Sequence, residues 1–150
     1  MKNLILFILF IVLSNCGYVP IYKDIQNANI NIFFQKSEGE ENINNLLISK
    51  LKAYTTKEAE KNYVIDMNSV YTKTVISKDS TGNAVDIELN LKVEFTVYFN
   101  EKSQKFLLTE KFNIKNTSDV FEMNNYENVI KNNFILSIKN KLIMKLLAIQ

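Results

Sequence analysis

The chain has 150 residues and a nearly balanced charge, with 18 Lys or Arg residues against 16 Asp or Glu residues. Nucleic-acid binding needs a basic surface, and this balance gives no sign of one. The chain has no His, one Cys and three Gly. This composition argues against imidazole catalysis, a zinc site, an internal disulfide and a glycine-rich phosphate loop.

The first sixteen residues resemble a bacterial lipoprotein signal. Lys2 precedes an apolar run from Leu4 to Leu13, which is shorter than the roughly 20 residues that a membrane-spanning helix needs. A basic start, a short apolar core and small residues before a cut site are typical of a signal peptide. Because Leu13-Ser14-Asn15-Cys16 resembles a lipobox, we expect removal of residues 1–15 and lipidation of Cys16 by diacylglycerol and a fatty acyl chain such as palmitate.

The mature N-terminus reads as a tether that leads into one domain. Residues 16–28 hold the chain's single Pro and a mixed polar sequence, which favours an extended segment. Residues 29–150 are long enough for one compact core and short for two. Asn29 to Gln35 alternates apolar and polar side chains, which predicts the first strand.

A helix is predicted next, because Glu40 and Glu41 suit the positive end of a helix dipole. We expect it to end near Lys61, after a C-terminal half that is rich in Lys. The predicted apolar stripe consists of Ile43, Leu46, Leu47, Leu51 and Tyr54.

Two strands and a tight turn follow. Residues 63–76 are rich in Val, Ile, Tyr and Thr, which favours a strand. Asp79 to Asn83 is a cluster of turn formers, and Gly82 is suited to a positive φ. From Val85 to Phe99 every second residue is apolar, which predicts a strand with one buried and one solvated face.

The remaining chain predicts a loop, a strand and a long helix. The loop is Asn100 to Gln104, and the strand extends from Phe106 to Ile114. Glu110 interrupts the apolar face of this strand, which marks a bulge or a sheet edge. The final helix is predicted from Glu122 to Ala148. Its apolar stripe consists of Tyr126, Val129, Ile130, Phe134, Ile138, Leu142 and Leu146, widened by Leu136, Ile143 and Leu147.

Together these elements predict an α+β fold of order β-α-β-β-β-α. We expect a four-stranded, largely antiparallel sheet with two helices packed on one face. Three carboxylates, Asp86, Glu88 and Glu94, alternate with apolar residues on the third strand. They belong to the solvated face, so we expect a binding protein rather than an enzyme, with no cofactor and no metal.

The start of the mature chain, Cys16-Gly17-Tyr18-Val19-Pro20-Ile21-Tyr22, resembles that of the alphaproteobacterial LptE family of lipopolysaccharide-assembly lipoproteins. The element order, the Gly-containing turn and the long last helix are also similar to that family. The resemblance implies a protein anchored in the cell outer membrane that faces the periplasm and the barrel lumen. It also implies plugging, and help in folding, of the LptD-like β-barrel that inserts lipopolysaccharide.

The resemblance further implies contact with lipopolysaccharide, whose phosphates need cations. Lys73, Lys78 and Lys92, which flank the predicted Asp79–Asn83 turn, are the candidate residues. A second hypothesis is an auxiliary or scaffold lipoprotein of another periplasmic transport system. The sequence leaves both hypotheses open, and neither involves nucleic acid.

Overall fold

A computed structural model describes residues 30–53 and 59–149 of the chain. The predicted signal segment of residues 1–15, Cys16 and the tether of residues 16–28 lie outside these described residues.

The described residues form an α+β domain whose element order is the predicted β-α-β-β-β-α. Its elements are β1 (Ile30–Gly39), α1 (Glu41–Lys52), β2 (Lys61–Lys78), β3 (Ala84–Phe99), β4 (Lys102–Lys115) and α2 (Val120–Ala148).

The four strands form a single sheet in the order β1-β2-β3-β4. The pairs β2–β3 and β3–β4 are antiparallel hairpins, whereas β1 pairs with β2 in parallel. A parallel pair needs a crossover connection, and α1 lies in that connection. The prediction of a largely antiparallel sheet with two helices is confirmed.

The inner face of the sheet, which the helices cover, carries the core. On β3 the predicted alternation holds between Ile87 and Val97, where the inward side chains are at most 4% exposed. It fails at Val85, which is 38% exposed, and at Asn90, which is 9% exposed although its position faces outward. The buried inward residues are Ile87, Leu89, Leu91, Val93, Phe95 and Val97. Burying each such side chain contributes about 1.5–3 kcal/mol, so this strand is the centre of the fold.

The corner between β1 and α1 depends on Gly39, which has φ +91°. A Cβ at this position would overlap the carbonyl oxygen of Ser69 on β2. The Ser69 hydroxyl accepts a hydrogen bond from the Glu40 amide at 3.1 Å. The buried Asn44 side chain donates to the Glu38 carbonyl at 2.8 Å. These two hydrogen bonds fix the direction in which α1 leaves the sheet.

The two hairpins define two ends of the sheet. The distal end carries the turn Asp79–Asn83, in which the Asp79 carboxylate accepts from the Thr81 and Asn83 amides. Gly82 has φ +87°, as the turn prediction requires. The proximal end carries the turn Asn100–Glu101, and α2 extends from the distal end to the proximal one.

The proximal turn is shorter than predicted. The sequence predicts a loop over Asn100 to Gln104, but only Asn100 and Glu101 stand outside the strands, with φ +48° and +63°. Positive φ at both central residues gives the two-residue hairpin whose twist matches that of the strands. β4 therefore begins at Lys102, and its first residues pair with the end of β3.

The prediction that the first helix ends near Lys61 is wrong. α1 ends at Lys52, and Lys61 is the first residue of β2, where it pairs with Ile30. Extended backbone is needed by this point because Tyr63 and Ile65 are buried on the inner face of the sheet. The predicted stripe member Tyr54 lies outside the described residues.

The predicted apolar stripe of the last helix is partly wrong. Tyr126 and Val129 are 46% and 54% exposed, and Leu136 and Leu147 also face solvent. The buried positions at the start of α2 are Met123 and Glu127 instead. The Glu127 carboxylate can be buried because Tyr71, Lys73 and Lys131 surround it as donors.

Glu110 lies on β4, an edge strand with no bulge in its pairing to β3. It faces inward opposite Leu91 and accepts hydrogen bonds from Ser137 and Lys141 of α2. Of the two predicted explanations for its position, the sheet edge is confirmed. The Glu110 cluster fastens α2 to this edge.

Candidate functional site

A buried carboxylate joins α2 to the distal half of the sheet. Glu127 is only 8% exposed. Its Oε1 accepts from the Tyr71 hydroxyl at 2.9 Å and lies 2.8 Å from Lys131 Nζ. Its Oε2 accepts from Lys73 Nζ at 2.9 Å. Lys131 also lies over the Tyr71 ring, 4.5 Å from its centroid.

The electrostatics of this Glu127 network favour the ionised carboxylate. Burial would raise the pKa of Glu127, but hydrogen bonds from Lys131, Lys73 and Tyr71 outweigh burial and lower the pKa to about 2. Burial and the neighbouring carboxylate raise the pKa of the Tyr71 hydroxyl. The network therefore keeps fixed charges at neutral pH, which suits a structural junction rather than proton transfer.

A groove opens at the distal end between β4 and the start of α2. Its volume is about 460 Å³, and Phe112, Met123 and Tyr126 form its apolar part. Lys115 and Glu122 contribute charged groups to its lining. The lining thus combines apolar side chains with one basic and one acidic group.

Exposed apolar residues continue around this groove. Val120 and Phe121, in the first turn of α2, are 72% and 76% exposed. Phe112 is 42% exposed although its strand position faces inward, because α2 leaves it partly uncovered. These residues make the distal end one of the exposed apolar regions of the domain.

The structure does not bring the three candidate lysines together. Lys73 faces inward on β2 and is held by Glu127. Lys78 is exposed at the end of β2, beside the distal turn. Lys92 lies on the opposite, outer face of the sheet. One phosphate group cannot contact both Lys73 and Lys92, since the sheet separates them.

Lys92 is exposed on the outer face of the sheet. Its cross-strand neighbours are Val70, which is 49% exposed, and Thr109. The outer face around it carries the ion pairs Lys105–Glu94 and Lys111–Glu88. Among the described residues, no carboxylate forms an ion pair with Lys92 or with Lys78, so both charges are available to a ligand.

The carboxylates that the sequence assigns to the solvated face do lie there. Glu88 and Glu94 face outward in ion pairs with β4, and Asp86 accepts a hydrogen bond from the Ser77 hydroxyl. Sequence reasoning missed Glu127 and Tyr71. The sequence does contain one indication of Glu127: it lies four residues after Met123 and three before Ile130, the spacing of the buried side of α2.

Two further properties bear on function. Neither helix in residues 30–53 and 59–149 combines the length and apolarity needed to cross a membrane. In the same two ranges, Cys and acidic side chains form no group of three that could hold a metal ion.

Comparison with solved structures relates this fold to bacterial lipoproteins. The rare lipoprotein B of Shewanella oneidensis matches with a TM-score of 0.58 and 17% sequence identity, over 79% of this chain and 92% of that one. Lipoprotein B of Nitrosomonas europaea, described as uncharacterized, matches with a TM-score of 0.53 and 11% sequence identity. This match covers 77% of this chain and 83% of that one. A candidate lipoprotein of Caulobacter crescentus matches with a TM-score of 0.53 and 11% sequence identity. This match covers 81% of this chain and 91% of that one.

These matches span most of both chains in each case, so the domain has the fold of these bacterial proteins. No protein-family profile matches the sequence, and no curated protein matches it. The likeness at such low identity is therefore one of architecture.

Proposed function

We propose that this chain is a lipid-anchored, non-enzymatic adaptor of the outer membrane that plugs the lipopolysaccharide-inserting β-barrel and assists its assembly. The observation that carries the proposal is the shared fold with bacterial lipoproteins over more than three quarters of the chain. The start of the mature sequence at Cys16, which resembles that of the LptE family, supports the same proposal.

The surfaces of the domain suit this role. A plug inside a water-filled barrel needs a rigid and mostly polar exterior. The outer face of the sheet supplies part of such a surface through the ion pairs Lys105–Glu94 and Lys111–Glu88, although it also exposes the apolar residues Val70 and Leu107. β2, β3 and β4 are hydrogen-bonded over 14 or more residues each, which makes the face stiff.

The anchor is tested by changing Cys16 to Ala and separating membranes from soluble envelope proteins. Two acyl chains hold a protein on a bilayer almost permanently. The chain with its natural sequence should therefore stay with the membrane fraction, and the Cys16→Ala variant should be released. Mass spectrometry of the mature N-terminus should find the acyl groups, and an unacylated N-terminus on a soluble protein would contradict the proposal.

The partner is tested by affinity purification from a detergent-solubilised envelope, followed by mass spectrometry. A large β-barrel protein recovered in about equal amount with the chain supports the proposed role. Recovery with the components of an inner-membrane transporter would support the second hypothesis, an auxiliary lipoprotein of another transport system. The Cys16→Ala variant serves as the control for contacts that depend on the anchor.

Lipopolysaccharide contact is tested with three single substitutions, Lys73→Ala, Lys78→Ala and Lys92→Ala. We expect Lys92→Ala to weaken binding most, about tenfold, because a phosphate loses a charge-assisted bond worth on the order of 1.5 kcal/mol. Lys105→Ala is the matched control, since Lys105 shares the face but is paired with Glu94. Unchanged affinity in all three variants would remove these lysines from the proposal.

A further inference from the structure

The first half of β1 is a sheet edge without protection against further pairing. Among residues 30–53 and 59–149, β2 is the only strand that pairs with β1. The half from Ile30 to Phe34 contains no charged residue, no Pro and no bulge. Proteins ordinarily protect such an edge with Lys, Pro or a bulge, or else cover it.

The other edge of the sheet and the second half of β1 are both protected. The second half of β1 has a register shift at Gln35 and an ion pair between Lys36 and Glu38. The opposite edge strand, β4, contains the four lysines Lys102, Lys105, Lys111 and Lys115. The unprotected edge is therefore limited to the five residues from Ile30 to Phe34.

An apolar groove of about 280 Å³ lies beside this part of β1, between the strand and α1. Its apolar lining consists of Ile32, Phe33, Phe34, Ile48 and Leu51. Phe33 is 62% exposed, and Lys52 is the one charged residue in the lining. A strand added at this edge would gain apolar contacts as well as backbone hydrogen bonds, which is how extended segments bind to sheet edges.

We propose that residues 18–22 of this chain occupy the β1 edge as a fifth strand, antiparallel to β1. These five residues, Tyr18-Val19-Pro20-Ile21-Tyr22, equal the unprotected edge in length and are rich in types that favour strands. Pro20 fits an outermost strand, because the side that lacks an N–H can face solvent there. The segment lies outside the described residues, and the chain that follows it leads directly into β1.

The length of the connection determines the direction of the added strand. Seven residues, 23–29, separate Tyr22 from Ile30. Parallel pairing needs a crossover of about a dozen residues or more, whereas antiparallel pairing needs only a turn. Asp24, Asn27 and Asn29 are residues that favour turns. Because the connection is short, the concentration of the segment at the edge is on the order of millimolar, which favours it over a separate partner.

The docked strand would also hold the domain close to the bilayer, and this consequence rests on the proposed lipid anchor at Cys16. Residues 16–29 could span about 46–50 Å if they were fully extended. With residues 18–22 on β1, Cys16 lies only two residues from the edge of the sheet. The docking itself requires neither the acyl chains nor a barrel.

The occupant is tested by photo-cross-linking of the full chain in envelope membranes, with mass spectrometry of the products. Phe33→p-benzoylphenylalanine places the probe at the unprotected edge. We expect internal cross-links to residues 18–22 that leave the chain at the monomer position on a gel. Leu107→p-benzoylphenylalanine is the matched control, since Leu107 is 64% exposed on the opposite edge strand. It should give no cross-link to residues 18–22.

The other outcomes of this experiment would overturn the inference. They are equal yields from positions 33 and 107, a cross-linked dimer, and a cross-link from position 33 to residues 54–58 or to another protein in place of residues 18–22. Capture of a barrel protein would overturn the docked strand while supporting the proposed function. An unacylated Cys16 with the internal cross-link intact would contradict the proposed function and leave the docked strand standing.

Hydrogen exchange of the detergent-solubilised full chain provides a second measurement. Ile21→Asp places a charge in the added strand, so the edge-facing amides between Asn31 and Phe34 should exchange at least about tenfold faster. Gln26→Asp, with the same new charge in the connection, should leave these rates unchanged. Amides of β3 report in both variants that the domain stays folded. Equal β1 rates in Ile21→Asp and the natural sequence would overturn the inference.

Discussion

α2 is attached to the sheet differently at its two ends. At the proximal end Leu142, Ile143 and Leu146 are completely buried, and the Tyr63 hydroxyl donates to the Leu146 carbonyl at 2.7 Å. At the distal end the helix is held by the Glu127 network, and apolar side chains around it remain exposed. One helix thus combines an apolar attachment with a polar one.

This difference shows that one helix is fixed by two kinds of contact. Apolar packing at the proximal end is strong and depends little on pH. At the distal end the polar Glu127 network adds to the buried Met123 and Ile130, while Val120 and Phe121 stay exposed. The two attachments can be broken separately, and we expect unequal costs.

The largest effect is expected at the proximal end. Leu142→Ala removes a side chain with 0% exposure and should lower the free energy of unfolding by about 2 to 5 kcal/mol, because a cavity replaces its contacts. Urea unfolding followed by circular dichroism measures this change. The matched control is Leu107→Ala, at a residue that is 64% exposed, which should change stability by less than about 0.5 kcal/mol.

A smaller effect is expected at the distal end. Glu127→Gln keeps the shape of the side chain but removes the charge that accepts from Tyr71, Lys73 and Lys131. We expect a loss of about 2 kcal/mol at pH 7, as for hydrogen bonds to a charged group. Glu94→Gln, in an exposed ion pair, should cost less than about 0.5 kcal/mol. Equal costs for both variants would mean that the network does not hold α2.

The pH dependence of stability tests whether the charge of Glu127 is the source of its contribution. Folding lowers the pKa of Glu127 from 4.5 to about 2, so its contribution is complete above pH 4.5 and is lost as the pH falls towards 2. The difference in unfolding free energy between the unmodified chain and Glu127→Gln should therefore be smaller at pH 3 than at pH 7. A difference that does not change with pH would indicate that packing, not charge, makes the contribution.

The smallest of these effects is expected at the first turn of α2. The Asp119 side chain accepts hydrogen bonds from the Phe121 and Glu122 amides at 2.9 and 3.0 Å. Asp119→Ala should cost about 1 kcal/mol, and Asp119→Asn should retain most of this cap. Hydrogen exchange should show the loss as faster opening of residues 120–123, while amides near Leu142 stay protected.

The parts of the fold that the sequence predicts are those with a simple repeat. β3 alternates without interruption from Val85 to Phe99, so its two faces follow from the period alone. Gly82 marks the distal turn for the same kind of local reason. The element order then follows, because each segment needs a partner for its apolar side.

The remaining features depend on contacts between distant residues. Glu127 takes an inward position of α2 only because Tyr71 and Lys73 of β2 supply donors, and no local pattern reveals those donors. The apolar residues of α2 occur on two sides of the helix, so periodicity alone does not separate its sheet-facing side from its exposed side. Opposite faces of the sheet also separate Lys73 from Lys92, which the sequence grouped around one turn.

The parallel pairing of β1 with β2 has a consequence for the order of folding. The hairpins β2–β3 and β3–β4 join neighbours in the chain, whereas β1 must wait for α1 and β2 to close a longer loop. We therefore expect the three C-terminal strands to nucleate the domain and β1 to join late. The strand synthesised first would then be the last to dock, so the N-terminal end of the domain would be its slowest part to mature.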